Sequence, residues 1–269
     1  MPLPLLLEPD ALASLLGSPD LLVVDLSKAT TYAQYHVPGA LHLEYAQIIH
    51  GRPPTPGLLP DDEQLSRAFA SIGLTPATQV IAYDDEGGGK AARLLWTLDV
   101  IGHAHAALLN GGLHAWANEG HAYNHAPIAV TPSDYTVTRT NQGLADKDYV
   151  LAHLGKPDVA LLDARSAAEY SGTKVFAARG GHIPGAINIE WLEAIDQRRN
   201  MRLKPADELR ALFTAHGVTP DKEVITYCQT HHRSALSYLV LKSLGYPNIK
   251  GYAGSWSEWG NDPGTPVET

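Results

Sequence analysis

Cys228 is the only cysteine among 269 residues, and its neighbours are chosen for charge rather than for packing. It follows four β-prone residues, Val224-Ile225-Thr226-Tyr227, and precedes Gln229-Thr230-His231-His232-Arg233-Ser234. From Arg233 onward apolar residues recur at helical spacing (Leu236, Leu239, Val240, Leu244), so the cysteine sits where a buried strand turns into a helix. Such a turn offers backbone N–H groups without helical partners, beside the positive end of the helix dipole. Both lower a thiol's pKa and stabilise negative charge on sulfur. A lone cysteine after a strand is commonly a small buried hydrophobe. Two histidines and an arginine beside it are costly to bury unpaired, which favours a reactive thiol instead. The loop itself carries no acid. Cys228 is therefore the candidate nucleophile, and Arg233, Gln229, Thr230, His231 and His232 are the candidate contacts for an anionic substrate.

The elements that must position this loop follow from length and pattern. The chain is long enough for about two domains. Its 44% hydrophobic content is ordinary for a globular protein, and apolar runs such as Leu5–Leu7 and Leu239–Leu241 are too short to span a membrane. The start Met1-Pro2-Leu3-Pro4 lacks the basic region and cleavage site of a signal peptide. A single cysteine rules out an intramolecular disulfide or an internal dithiol cycle and fits a reducing compartment, so a cytoplasmic location is expected. The net charge of −9 makes nucleic acid and anionic membranes poor partners. A small anionic substrate needs a locally positive pocket against that background. Gly87-Gly88-Gly89-Lys90 lacks the spacing and the following Ser/Thr of a phosphate-binding loop. His121 and His125 have no third ligand nearby, so no metal is expected.

Strands are predicted at 21–25, 41–43, 79–83 and 106–109, with helices at 12–16, 30–35, from 61 or 62 to 72, 91–100 and around Trp116. The proline-rich stretch 51–60 reads as a loop. The same order then recurs. Asp163 stands 138 residues after Asp25, His182-Ile-Pro-Gly-Ala186 stands 146 after His36-Val-Pro-Gly-Ala40, Cys228 stands 144 after Asp84, and Trp259 stands 143 after Trp116. The chain is thus read as an α/β tandem duplication: a first domain at 1–122, a linker at 123–143 and a second domain at 144–269. Each domain is expected to be a parallel sheet with helices on both faces. Ligands in such sheets bind beyond the carboxyl ends of the strands, where Cys228 lies. The first domain has Asp84 at the equivalent place and no thiol, so it is expected to support the second and to wall its cleft.

The two His-(Ile/Val)-Pro-Gly-Ala segments, Asp163-Ala164-Arg165, the Cys228 loop and Gly254-Ser-Trp-Ser-Glu-Trp259 resemble the rhodanese family of sulfurtransferases over nearly the whole chain. The match is to its two-domain form with an inactive first half, and the loop looks most like the Azotobacter and Pseudomonas type. The resemblance implies that Cys228 takes a sulfane sulfur from a small anionic donor, holds it as a persulfide and passes it to cyanide or another thiol-like acceptor, a protein acceptor included, without a cofactor. Arg233 and the loop N–H groups would then bind thiosulfate. Arg165, two residues after Asp163 at the strand end, is read as an ion pair that holds the loop, and both are taken as supports behind the site. Trp191 is placed by the resemblance at the site's mouth, though it suits a packed core equally.

Relatives that use 3-mercaptopyruvate carry a different loop and an arginine where this chain has Glu169. A carboxylate there would repel an α-keto acid, which favours thiosulfate and leaves mercaptopyruvate as the alternative donor. Two other readings stand beside these. One is a persulfide carrier or interaction module with slow turnover. The other is a thiol phosphatase, although four residues between Cys228 and Arg233 make a smaller ring than the five such enzymes resemble.

Overall fold

In the computed structural model, which describes residues 3–269, short aliphatic runs become buried strands and amphipathic stretches become the helices between them. The first half runs β1 (Leu6–Leu7), α1 (Pro9–Leu15), β2 (Leu21–Asp25), α2 (Ala29–Gln34), β3 (Ala40–His42), β4 (His50–Arg52), β5 (Thr55–Leu58), α3 (Asp62–Ser71), β6 (Gln79–Tyr83), α4 (Gly89–Val100), β7 (Ala106–Leu109) and α5 (Gly112–Asn118). The second runs β8 (Leu144–Ala145), α6 (Lys147–Ala152), β9 (Val159–Asp163), α7 (Ala167–Tyr170), β10 (Ile187–Asn188), β11 (Ile195–Asp196), β12 (Arg202–Leu203), α8 (Ala206–Ala215), β13 (Glu223–Tyr227), α9 (Arg233–Ser243), β14 (Ile249–Tyr252) and α10 (Ser255–Trp259).

Two five-stranded sheets result, ordered β1-β7-β6-β2-β3 and β8-β14-β13-β9-β10, with every neighbouring pair parallel. Strand for strand the two orders correspond, as a duplication requires. In the second sheet β13 is central: Val224 to Tyr227 are buried, and α9 lies against it with Ser234 to Leu241 buried. A helix apolar on nearly all sides must be enclosed, and this fixes where the loop between β13 and α9 emerges.

The chain forms two compact units whose membership does not follow the repeat boundary. One comprises the chain up to Ile49, Pro60–Asn141 and Ile195–Leu203; the other comprises His50–Leu59, Gln142–Ala194 and Lys204–Thr269. The stretch 51–60, expected as a loop, contains an antiparallel hairpin of β4 and β5, and His50–Leu59 belong with the second unit. Proline cannot donate to a ladder, so Pro53 and Pro54 take the turn. Residues 124–141 are bonded along the first unit. Asn124 and His36 exchange backbone bonds, Val137 N–H donates to Ser66 Oγ at 2.9 Å, and Thr140 N–H donates to the Val100 carbonyl at 3.0 Å.

Candidate active site

Cys228 directly follows β13, and its backbone is held by the first turn of α10. Its N–H donates to Ser255 Oγ at 3.3 Å, its carbonyl accepts from Trp256 N–H at 2.9 Å, and the Gln229 carbonyl accepts from Ser257 N–H at 3.0 Å. This is the structural use of the Gly-Ser-Trp-Ser-Glu-Trp segment. His231 adopts the left-handed conformation, with φ of +53°, and His232 is right-handed. Such a handedness change curls a short loop so that successive N–H groups converge. Cys228 has no exposed surface, yet its surroundings are polar. Burial pushes the thiol pKa up. The Arg233 charge, the Ser234 hydroxyl and N–H, and the Thr230 N–H outweigh burial and bring it below the ordinary value. A thiolate with that support is a competent nucleophile.

The strand end behind the cysteine is fixed by an ion pair. Arg165 Nε donates to both carboxylate oxygens of Asp163 at 3.0 Å, and Nη2 donates to Oδ2 at 2.6 Å and to the Gly181 carbonyl at 2.8 Å. Its guanidinium lies 4.5 Å from the Trp256 ring and 5.8 Å from Tyr227. Asp163 is paired in register with Tyr227, the residue before Cys228. Tyr227 OH accepts from Ile183 N–H at 3.2 Å, so the His-Ile-Pro-Gly turn also braces this strand end. Asp163 and Arg165 thus meet in a buried ion pair behind the cysteine.

Above the loop lies a cavity of about 500 Å³, lined by residues of the second unit alone, among them Glu169, Lys174, Phe176, Gln229, Thr230 and Arg233. Pro54 and Pro56 of the β4–β5 hairpin close one wall. The hairpin is packed so tightly that a Cβ on Gly57 would stand 2.4 Å from the Thr230 carbonyl oxygen.

Arg233 differs from expectation. Its Nη1 and Nη2 donate to Glu169 Oε2 and Oε1 at 2.7 and 2.8 Å, a two-toothed fork. The Glu169 side chain is 4% exposed and that of Arg233 21%. Glu169 is presented by a capping box on α7, in which Ser166 Oγ also donates to Oε2 at 2.9 Å. Burial raises the Glu169 pKa, but the fork and Ser166 more than reverse this and hold it at about 2. The acid-free character of the loop therefore ends where the fold begins. Arg233 is engaged with Glu169 rather than open to a substrate, and Glu169 faces Arg233 rather than standing alone against an α-keto acid.

The Rhodanese-like domain family matches this chain twice, over residues 8–119 and 146–262. The chain belongs to the rhodanese family. It is 49% identical over 266 residues to a thiosulfate sulfurtransferase of Pseudomonas aeruginosa, covering 99% of this chain and 97% of that one. It is 48% identical over 266 residues to the thiosulfate sulfurtransferase of Azotobacter vinelandii, with the same coverage of both chains. The crystal structure of YnjE has the same fold, with a TM-score of 0.89 at 24% identity over 98% of this chain and 68% of that chain. This rhodanese is a sulfurtransferase, with a sulfur donor and a sulfur acceptor as its substrates.

Of the residues singled out in the Cys228 loop, Gln229, Thr230 and Arg233 line the cavity, while Cys228 lies buried behind them. His231 does not: its side chain is buried and its Nδ1 lies 2.8 Å from Ser234 Oγ, so it works on the loop's shape. His232 and Trp191 are also absent from the lining and lie near each other, with ring centroids 6.4 Å apart. Gln229 Nε2 donates to the Phe176 carbonyl at 3.3 Å, and its buried Oε1 has no hydrogen-bond partner among the described residues. Lys174 and Phe176 were not anticipated. They sit in a stretch with no hydrophobic period, and only the fold brings them to the loop. No group of three or more acidic, histidine or cysteine side chains suited to a metal is found among the described residues. No helix among them is long and apolar enough to cross a membrane.

Proposed function

We propose that the chain moves a sulfane sulfur from thiosulfate to cyanide or another thiophilic acceptor through a persulfide on Cys228. The Cys228 thiolate attacks the outer sulfur of thiosulfate. The sulfur–sulfur bond of the donor breaks, and sulfite leaves with the bonding pair. The new terminal sulfur is anionic and rests among the Thr230 and Ser234 N–H groups and the Ser234 hydroxyl, much as an oxyanion rests in its hole. The acceptor then attacks that sulfur. The electron pair of the breaking bond returns to Cys228, so the cycle is ping-pong and redox-neutral and calls for no cofactor. A protein thiol fits as the acceptor equally, and a reducing cytoplasm suits a lone thiol.

The observation that carries this reading is a lone thiol placed in the curled turn between β13 and α9, with Arg233 and Ser234 at the start of the helix beside it. The second repeat is accordingly the catalytic one and the first its support. Thiosulfate is favoured over 3-mercaptopyruvate because a carboxylate is best held by an open guanidinium fork, and that of Arg233 is taken by Glu169.

Steady-state formation of thiocyanate from thiosulfate and cyanide tests the reading, together with a gain of one sulfur atom on Cys228 by mass spectrometry. Thiosulfate is expected to give the higher kcat/KM of the two donors, and a higher value with mercaptopyruvate overturns the donor. Full turnover by Cys228→Ser overturns the nucleophile.

A further inference from the structure

A dianionic donor in this cavity faces the Glu169 carboxylate, one guanidinium already bonded to it and, buried behind the lining, the Cys228 thiolate. On those residues alone the site repels its donor. Lys174 lines the same cavity. We propose that Lys174 recognises the anionic end of the sulfur donor, a step that rests on the thiosulfate reading above.

The loop carrying Lys174 is tied at two points to groups that form the site. Lys174 N–H donates to the Ala168 carbonyl at 2.8 Å, anchoring it to the helix that presents Glu169. The Phe176 carbonyl accepts from Gln229, anchoring it to the Cys228 loop. The Lys174 ammonium lies 5.0 Å from the centre of the Phe176 ring. An aromatic face positions a cation without neutralising it. No carboxylate pairs with Lys174 among the described residues. The cavity's two lining cations therefore differ in state. Arg233 is bonded through both its terminal nitrogens to Glu169, while the Lys174 ammonium faces the cavity without a carboxylate of its own. A lysine suits this role because its three donors rotate to fit a sulfonate-like group that has no fixed carboxylate geometry.

The test compares Lys174→Ala, Lys174→Arg and Lys174→Glu in the full chain with thiosulfate and cyanide. Lys174→Ala is expected to raise the thiosulfate KM about ten-fold, the worth of one charge-assisted hydrogen bond, with kcat at saturating donor changed far less and the melting curve unmoved. Lys174→Glu raises KM further, and Lys174→Arg restores most of the loss. The wild-type KM rises with ionic strength, and that of Lys174→Ala rises less. A monoanionic thiosulfonate donor loses less than thiosulfate in Lys174→Ala. An unchanged KM in Lys174→Ala, equal losses with both donors, or no rescue by arginine overturns the assignment while leaving the thiosulfate reading intact. A wild-type protein inactive with thiosulfate overturns both.

Discussion

Asp84 follows β6 as Cys228 follows β13, and each stands five residues before its helix. The first turn is already full. The Asp84 carboxylate accepts from the N–H groups of Glu86, Gly88 and Ala91 at 3.0, 2.8 and 3.0 Å. Burial and the Glu86 charge raise its pKa against those three bonds. The second turn places its N–H groups around a sulfur instead. Set side by side, the turns teach that the backbone geometry is an anion cradle in its own right. What differs is whether the chain fills the cradle with its own carboxylate or leaves it for a reacting atom. The strand ends behind them differ in a matching way. Asp25 accepts from Tyr83 OH and from Ser27 N–H, both at 2.6 Å, and no ion pair to an arginine is found for it among the described residues. Asp163 is clamped by Arg165, which also lies over the tryptophan of the turn holding Cys228. The repeat that carries the thiol has the stiffer foundation.

The largest effect is expected from making the turns alike. Cys228→Asp should fold, with its carboxylate taking up the loop N–H groups, and should lose turnover by on the order of 10³-fold or more. Adding Asp84→Cys to it should recover nothing, because the first turn has neither an arginine at its helix start nor a Ser234 equivalent. Sulfur transfer by that double variant, or failure of Cys228→Asp to fold, breaks the comparison.

An intermediate effect separates the cradle from its charged rim. The Glu169 pKa is held at about 2, below its value in the unfolded chain. The pair with Arg233 therefore stabilises the fold fully above pH of about 4.5, and that contribution is lost as pH falls towards 2. Glu169→Gln should melt roughly 2–6 °C lower at neutral pH and show a flatter fall in stability on acidification. Parallel acid profiles for the two proteins would remove the pair from the account. The smallest effect concerns one cradle member. The pH midpoint for alkylation of Cys228 should lie below the usual thiol range and rise in Ser234→Ala, while an unmoved midpoint dismisses the hydroxyl.

The Cys228 turn was legible because its signal is local, a strand, a loop and a helix within about twenty residues, and the repeat because the same motifs return in the same order. Strand limits at 21–25, 79–83 and 106–109 agree with the structure to the residue. The partner of Arg233 was not legible. Glu169 lies 64 residues away, and nothing in its own segment says that it will face an arginine. His231 misled for the opposite reason, since a polar side chain in a reactive loop looks like a contact until its buried bond to Ser234 is seen. The stretch holding Pro54 and Pro56 was expected as a loop and is a hairpin with Pro56 inside β5, and composition cannot say which surface such a hairpin will cover.

The crossed membership of residues 50–59 and 195–203 bears on how the molecule can be taken apart. A fragment cut at the repeat boundary would leave Thr230 without the strand whose Gly57 it touches, and the other fragment would lose the stretch whose Arg202 bonds to Glu8 and Glu119. Whatever free-standing ancestor was copied to make this gene, its descendants have traded parts and are no longer interchangeable cassettes.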